Sequence, residues 1–148
     1  MRKNLLNDLP SKEWLKFQKS WFIHNPPPRK KNTLLHPAKF PETLIQEFIE
    51  FFTKEGMSVL DPMVGTGSTL IACLRSKRNG FGIDLNERYV RIAQMELEKE
   101  IELQSEKISD TLSCKILCTD ARSLSKFHLP QFDYCITSPP YWDMLRMK

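Results

Sequence analysis

Leu44, Ile45, Phe48, Ile49 and Phe52 recur at helical spacing, with Glu47 and Glu50 off that face. They predict an amphipathic helix whose first turn holds Pro41 and which Gly56 can end. A short apolar run, Ser58-Val59-Leu60-Asp61, then reads as a buried strand leading into the glycine turn Val64-Gly65-Thr66-Gly67-Ser68. A helix follows from about Ser68 to Arg78, with Leu70, Ile71, Cys73 and Leu74 available for packing. The alternation repeats. Gly80 to Asp84 is a strand ending in an acid. Asn86 can cap a long helix to about Gln104, with Tyr89, Ile92, Ala93 and Leu97 on one face. The run Glu96, Glu98, Glu100, Glu102 reads as a solvated face, because alternating positions do not converge on a helix. Two more strands follow, Lys115–Cys118 and Asp133–Thr137. This β-α-β-α-β order predicts an α/β fold, a parallel sheet with helices on its faces.

The first forty residues have a different texture. Ser11 can cap a short helix carrying Trp14, Leu15, Trp21 and Phe22, and its aromatic spacing suits packing better than base stacking. His24 to Lys31 contains three consecutive prolines, which remove backbone donors and fix φ, so it reads as an extended connector. We therefore expect two parts: a basic helix-plus-connector over 1–40 and a partial α/β domain over 41–148. Nine Lys/Arg against Asp8 and Glu13 make the first part basic, while the rest carries 13 basic and 16 acidic residues within a net charge of +4. That arm has two readings, contact with a polyanion and a solvated tail.

At 148 residues and 41% hydrophobic, the chain is sized for one domain. It has no apolar run long enough to span a membrane, and no apolar segment follows the basic N-terminus as a secretion signal would require. Four cysteines without a C-x-x-C pair argue for reduced thiols rather than zinc, hence no metal site and a cytoplasmic protein. Cys118 and Cys135, in apolar strands, are expected to be core thiols.

In open parallel sheets, ligands bind beyond the carboxyl ends of the strands. Here those ends are Asp61 with its glycine turn, Asp84, Asp120, and Ser138-Pro139-Pro140-Tyr141. Gly65 and Gly67 let the backbone approach a ligand closely, and the helix after them offers free N–H groups to a carboxylate. Asp84, 17 residues past Gly67, is placed to bind ribose hydroxyls. Leu70 stands where a dinucleotide fingerprint needs its third glycine, and the chain has no Gly-Lys pair for a P-loop. S-adenosylmethionine fits better: its ribose suits Asp84, its adenine amine Asp120, and its methionyl end the glycine turn.

At these residues the chain resembles the DNA amino-methyltransferases that modify N4 of cytosine or N6 of adenine. Their cofactor motif is an acid or Asn, then Pro, Phe, any residue, Gly, any residue, Gly. The chain has Asp61-Pro62-Met63-Val64-Gly65-Thr66-Gly67, with Met63 replacing the aromatic residue. Their catalytic motif, Asp, Asn or Ser before Pro-Pro and an aromatic, is matched in full by Ser138-Pro139-Pro140-Tyr141. His36-Pro37-Ala38-Lys39-Phe40-Pro41 looks like the segment covering the cofactor's methionyl end. The resemblance spans roughly residues 34–142. It implies cofactor contacts at His36, Phe40, Asp61, Pro62, Gly65, Thr66, Gly67, Ser68, Thr69, Asp84 and Asp120, and catalysis at Ser138, Pro139, Pro140 and Tyr141. Asn25-Pro26-Pro27-Pro28 lacks the aromatic residue and precedes the cofactor strand, so it reads as connector.

An exocyclic base amine is a poor nucleophile because its lone pair is delocalised into the ring. Acceptors aimed at its N–H bonds favour the lone-pair-bearing form, and Ser138 Oγ and the Pro139 carbonyl are the candidates. Tyr141 can stack on a base removed from the duplex. Cytosine C5 methylation would need a cysteine after proline, and none of the four follows one. Serine at the first motif position favours N4 of cytosine; N6 of adenine is the alternative. The family's sheet has seven strands in an order resembling 3-2-1-4-5-7-6, and this chain supplies strands 1 to 4. The resemblance thus implies a Rossmann-like sheet that stops at the catalytic strand, double-stranded DNA as partner, and a restriction-modification setting in a prokaryote or phage. A truncated piece, one half of a split enzyme completed by a second chain, and an edge covered by dimerisation are all open. So are a non-catalytic cofactor-binding module and an RNA or protein-glutamine methyltransferase.

Overall fold

The computed structural model describes residues 4–18, 40–104 and 112–139. Among these residues, nine elements run in the order α1 (Ser11–Phe17), α2 (Glu42–Phe52), β1 (Ser58–Asp61), α3 (Ser68–Arg75), β2 (Asn79–Asp84), α4 (Glu87–Leu103), β3 (Cys114–Cys118), the 3-10 helix η1 (Ala121–Lys126) and β4 (Tyr134–Cys135). The strands form one parallel sheet in the order β3-β2-β1-β4. The chain steps outward from β1 through β2 to β3, then crosses back to place β4 on the other side of β1. The strand order therefore reverses between β1 and β4, which is where a crevice opens at the strand ends of such sheets.

Right-handed crossovers put α3 and α4 on the same face. There Val59 packs with Ala72 and Cys73 of α3 and with Ile45 and Ile49 of α2, and Cys114 and Tyr134 close the cluster from neighbouring strands. A second cluster joins Val64, Leu70, Leu74 and Leu97. Residues 68–74 of α3 are all buried, because that helix is wedged between α2, α4 and the sheet. A Cβ on Gly80 would stand 2.7 Å from Leu70 Cδ2, and one on Gly82 would stand 2.8 Å from Val64 Cγ2. The two glycines thus let the glycine turn and α3 sit directly on β2. The crossover from β3 to β4 brings Phe132 against Phe81, with ring centroids 5.7 Å apart.

Several element ends differ from the sequence reading. Pro10, not Ser11, is the N-cap position of α1, and it makes no side-chain cap bond. Helix α2 stops at Phe52 rather than near Gly56, because the Thr53 hydroxyl donates back to the Ile49 carbonyl at 2.5 Å and the backbone turns extended. Gly56 serves the next turn, at φ 82. Helix α3 ends at Arg75, three residues early. Lys77 takes a left-handed conformation with φ 59, its amide bonds the Leu74 carbonyl, and the Arg78 amide bonds the Cys73 carbonyl at 2.8 Å. That pair of bonds closes a helix end, normally with glycine at the left-handed position. Asn86 does cap α4, accepting from the Arg88 amide.

Residues 4–18 pack on the end of α2. Asn7, 2% exposed, donates to the Phe51 carbonyl, and Phe17 stacks on Phe51 at 4.3 Å. Trp14 lies parallel to Phe51 at 6.2 Å. This cover buries Phe51, while Phe52 of the expected apolar face is exposed. Trp21, Phe22 and the proline-rich connector lie outside the described residues.

The acidic stretch of α4 is not uniformly solvated. Glu100 is 7% exposed and takes both Arg75 Nε (2.8 Å) and Nη2 (2.7 Å), while Arg75 Nη1 reaches Glu42 at 2.8 Å. One arginine therefore ties α2, α3 and α4 together. Glu96 behaves as expected of a surface acid and pairs with Lys99. Cys118 and Cys135 are not core thiols but exposed, whereas Cys73 is buried and Cys114 partly so. Cys118 closes an outer strand and Cys135 lies on the two-residue edge strand β4, so among the described residues neither has a strand on both sides.

Candidate active site at the strand ends

Asp61, the last residue of β1, is 3% exposed. Its Oδ1 accepts the Met63 amide at 3.0 Å and its Oδ2 accepts the Thr69 hydroxyl at 2.5 Å. Burial pushes this carboxyl above its usual range; the Thr69 hydroxyl, the Met63 amide and the neighbouring Thr137 hydroxyl pull it back, and the charge of Asp84 adds to the rise. Pro62 follows in the turn. The Val64 amide then bonds the Ile83 carbonyl at 2.8 Å, which pins the glycine turn to the end of β2.

Asp84 fastens the same turn by its side chain: Oδ2 accepts the Gly65 amide at 2.9 Å, and Oδ1 accepts the Asn86 amide at 2.8 Å. Gly65 has φ 54 and open space where a Cβ would stand. Gly67 differs. At φ 90 it is the N-cap of α3, and a Cβ there would meet Ala93 Cβ at 3.0 Å. The bare side of Gly65 is therefore open, whereas that of Gly67 is taken up by α4. Gly67 has no side chain to cap α3, so the first amides of that helix, from Ser68 and Thr69, have no side-chain cap. Thr66, Ser68 and Thr69 are all buried around this corner.

Asp120 follows β3 and caps η1, accepting the Arg122 amide at 2.8 Å. Its carboxylate also holds the Arg122 guanidinium, Nη2 to Oδ2 at 2.6 Å, which keeps the carboxyl down at about 2. A base amine reaching Asp120 would share it with that exposed arginine.

On the other side of β1, the Ile136 amide bonds the Leu60 carbonyl at 3.0 Å, and the Asp133 side chain accepts the Ser58 amide at 2.8 Å. These bonds hold β4 in register, so Thr137, Ser138 and Pro139 emerge beside Asp61 at the point of strand reversal. Thr137, which sequence reasoning treated only as a strand end, has its hydroxyl buried with no hydrogen-bond partner among the described residues. Leu85, 71% exposed directly after Asp84, is a second residue that the motif reading passed over; its signal was an apolar residue at a strand end. Phe40 packs against the Ile45–Ile49 cluster at the entry to α2. His36, Pro140 and Tyr141 lie outside the described residues.

A cavity lies at the opposite, amino-terminal end of the strands, lined by Asp8, Glu50, Glu55, Arg75, Lys77 and Arg78 among others. Its basic groups are engaged by acids or carbonyls: Arg78 by Thr53, Ser76 and Asp8, and Lys77 by Glu55. It is remote from the strand-end acids. Among the described residues no helix is long and apolar enough to cross a membrane.

Comparison with known proteins agrees with this geometry. The family of DNA methylases matches residues 3–95. The type II methyltransferase M.HpaI of Haemophilus parainfluenzae is 40% identical over 70 residues, 47% of this chain and 22% of that protein. M.BglI of Bacillus subtilis is 34% identical over 92 residues, 62% of this chain and 26% of that protein. The chain thus spans about a quarter of the length of these relatives. A protein of Thermus thermophilus described as a putative DNA modification methylase, solved with S-adenosyl-L-methionine, superposes with a TM-score of 0.53 at 28% identity, covering 74% of this chain and 38% of that one. With its sheet order, its strand-end acids and a family match over more than half its length, this chain belongs to the N6/N4 DNA methylase family.

Proposed function

We propose that this chain carries the cofactor-binding and catalytic-motif part of an S-adenosylmethionine-dependent DNA methyltransferase acting on an exocyclic base amine, N4 of cytosine in preference to N6 of adenine. One observation carries the reading. The Asp61–Gly65 corner and the Ser138-Pro139 segment follow the carboxyl ends of the adjacent strands β1 and β4, at the reversal of strand order. A methyl donor held by the first would face an amine held by the second.

The residues present suit that cofactor. Gly65 leaves open space on the side where a Cβ would stand. Asp84 retains lone pairs for ribose hydroxyls beyond those used by Gly65 and Asn86. The uncapped start of α3 suits the methionyl carboxylate and Asp61 its ammonium. When bound, the cofactor supplies an electrophilic methyl group. Ser138 Oγ and the Pro139 carbonyl accept the N–H bonds of the base amine and so orient its lone pair. Proline at 139 brings no N–H that could compete, and β4 is anchored to β1 at the carbonyls of Ser58 and Leu60. Holding the two reactants in line provides much of the acceleration. Ser138 at the first motif position supports cytosine over adenine. The exposed edge strand β4 favours further sheet pairing there, from the same polypeptide or from a second one.

The test is titration calorimetry with S-adenosylmethionine, with circular dichroism on the same sample. Saturable one-site binding to folded protein is expected; a folded chain that does not bind overturns the reading. Mass spectrometry of nucleosides after incubation with DNA and labelled cofactor decides the base. Labelled N4-methylcytosine is expected, N6-methyladenine would reverse the base preference, and label in RNA or protein with unlabelled DNA would overturn the substrate class.

A further inference from the structure

The carboxylate that follows β3 is already occupied, and by one residue. Asp120 Oδ1 accepts the Arg122 amide at 2.8 Å. The Arg122 guanidinium takes the same carboxylate side-on: Nε lies 3.1 Å from Oδ1 and 3.0 Å from Oδ2, and Nη2 lies 2.6 Å from Oδ2. An ionised carboxylate has about four acceptor positions, so these contacts fill it. The Arg122 side chain is itself 90% exposed, and among the described residues it bonds nothing but Asp120. The arginine is therefore held by Asp120 rather than by packing, and it is free to swing away. Asp120 stands one strand out from Asp84: Cys118 pairs with Asp84 in register, and the Thr119 amide bonds the Asp84 carbonyl at 3.1 Å. Neighbouring strands lie about 4.8 Å apart, so a nucleoside whose ribose rests on Asp84 has its base within reach of Asp120.

We propose that Arg122 sets the affinity of the site for the adenine end of the cofactor by competing for Asp120: its guanidinium fills the carboxylate in the free protein and yields an Oδ2 position when the 6-amino group arrives. The inference rests on the proposed function and deepens it. The exchange costs affinity because a charged, bidentate donor gives way to a neutral one. The cost is modest because the pair lies in water, where ion pairs contribute little. S-adenosylhomocysteine, left after methyl transfer, carries the same adenine and meets the same competitor. Arg122 therefore loosens cofactor and product together, and limits how tightly the spent cofactor holds the site.

The test is titration calorimetry of wild type and Arg122→Ala with S-adenosylhomocysteine, at low and at high salt. This ligand has no net charge, so loss of the arginine's charge has little long-range effect on it. Residue 122 keeps its backbone amide on Asp120 in the variant, so η1 stays capped. Arg122→Ala should bind about two- to fivefold more tightly at low salt, the range for an exposed ion pair. The gain should shrink at high salt, which screens the pair in wild type. An analogue with hydrogen in place of the adenine 6-amino group should show no gain, because nothing then competes for Asp120; a merely structural effect on η1 would move both ligands alike. Unchanged or weaker binding of S-adenosylhomocysteine by Arg122→Ala, an equal gain for the analogue without the amine, or a gain undiminished at high salt each overturns the proposal. If wild type binds neither ligand, the cofactor reading falls and this inference falls with it, which is a different result from a binding wild type with an indifferent alanine variant.

Discussion

The Asp84 carboxylate accepts the Gly65 amide at 2.9 Å, so the acid at the end of β2 holds the glycine turn at the end of β1. The second oxygen of Asp84 takes the Asn86 amide at the start of α4. One side chain thus organises a turn, a helix entry and a proposed ribose-binding position together. A carboxylate is suited to this because it offers acceptors in several directions and no donor to repel the two amides.

Asp84→Ala should therefore do more than remove a ligand contact. We expect a loss of about 1–3 kcal/mol in folding stability, from two charge-assisted bonds at a half-exposed position. S-adenosylmethionine affinity should fall as well. Urea denaturation and calorimetry measure the two losses separately. Wild-type affinity in a stable Asp84→Ala protein would remove Asp84 from the ribose site.

Asp61→Asn should separate stability from binding. The folded-state pKa of Asp61 lies above its ordinary value of 3.8, chiefly through burial. Its contribution to stability is therefore greatest where the acid is protonated, below that value. It declines as pH rises through the interval up to the folded pKa, and the charge is a constant cost above it. Asparagine can accept from Met63 and donate to the Thr69 oxygen without that charge. The melting temperature of Asp61→Asn relative to wild type should rise from acid pH toward neutrality and then level off, while cofactor affinity falls. A relative stability that drops toward neutrality would contradict the assignment.

The two turn glycines should respond differently to alanine. Both have positive φ, which costs about 1 kcal/mol or somewhat more for a residue with a Cβ. Gly65 faces open space, so Gly65→Ala should lose little beyond that strain and should act mainly on cofactor binding. Gly67→Ala would also press on Ala93 Cβ at 3.0 Å and its Cα at 3.2 Å, which requires α4 to shift. We expect about 2–4 kcal/mol there, on the scale of strain plus overpacking. Chemical denaturation of both variants gives the order; equal losses would mean that α4 moves freely.

Glu100→Gln should weaken the clasp between α3 and α4. The carboxyl is held below its ordinary value of 4.5, first by its hydrogen bonds to Arg75. A depressed folded pKa means that the contribution is present above the ordinary value and is lost as pH falls through the folded one. The wild-type advantage over Glu100→Gln, about 1–3 kcal/mol at neutral pH for a half-buried bidentate pair, should shrink as pH drops below 4.5. Melting curves at a series of pH values check this, and a pH-independent difference would point to packing rather than charge.

Much of the fold was legible from local pattern. The helical spacing of Ile45 and Ile49, the cap at Asn86 and the strand-ending acids Asp61 and Asp84 each act through residues near them in sequence, and each is found where the pattern places it. The β-α-β repeat with right-handed crossovers then restricts the order of β3, β2 and β1. Outcomes that depend on distant partners were not legible. Phe51 rather than Phe52 is buried because Trp14 and Phe17 cover one side of α2. Glu100 leaves the solvated face because Arg75 of another helix meets it. Cys118 and Cys135 are exposed because their strands lie at the sheet edges.

The same division holds in the site. Sequence by itself determined which chemistry gathers at the strand ends: three acids, a glycine turn and a serine-proline segment, all encoded within a few residues of each strand's end. Only the tertiary structure decided how that chemistry is shared. It gave the amide of Gly65 to Asp84, set Gly67 against Ala93, engaged Asp120 with Arg122, and left the Thr137 hydroxyl beside Asp61 without a partner among the described residues. The physical reason is range. Turn chemistry and helix periodicity are fixed by neighbours along the chain, whereas burial, charge pairing and close approach depend on which elements the sheet brings side by side.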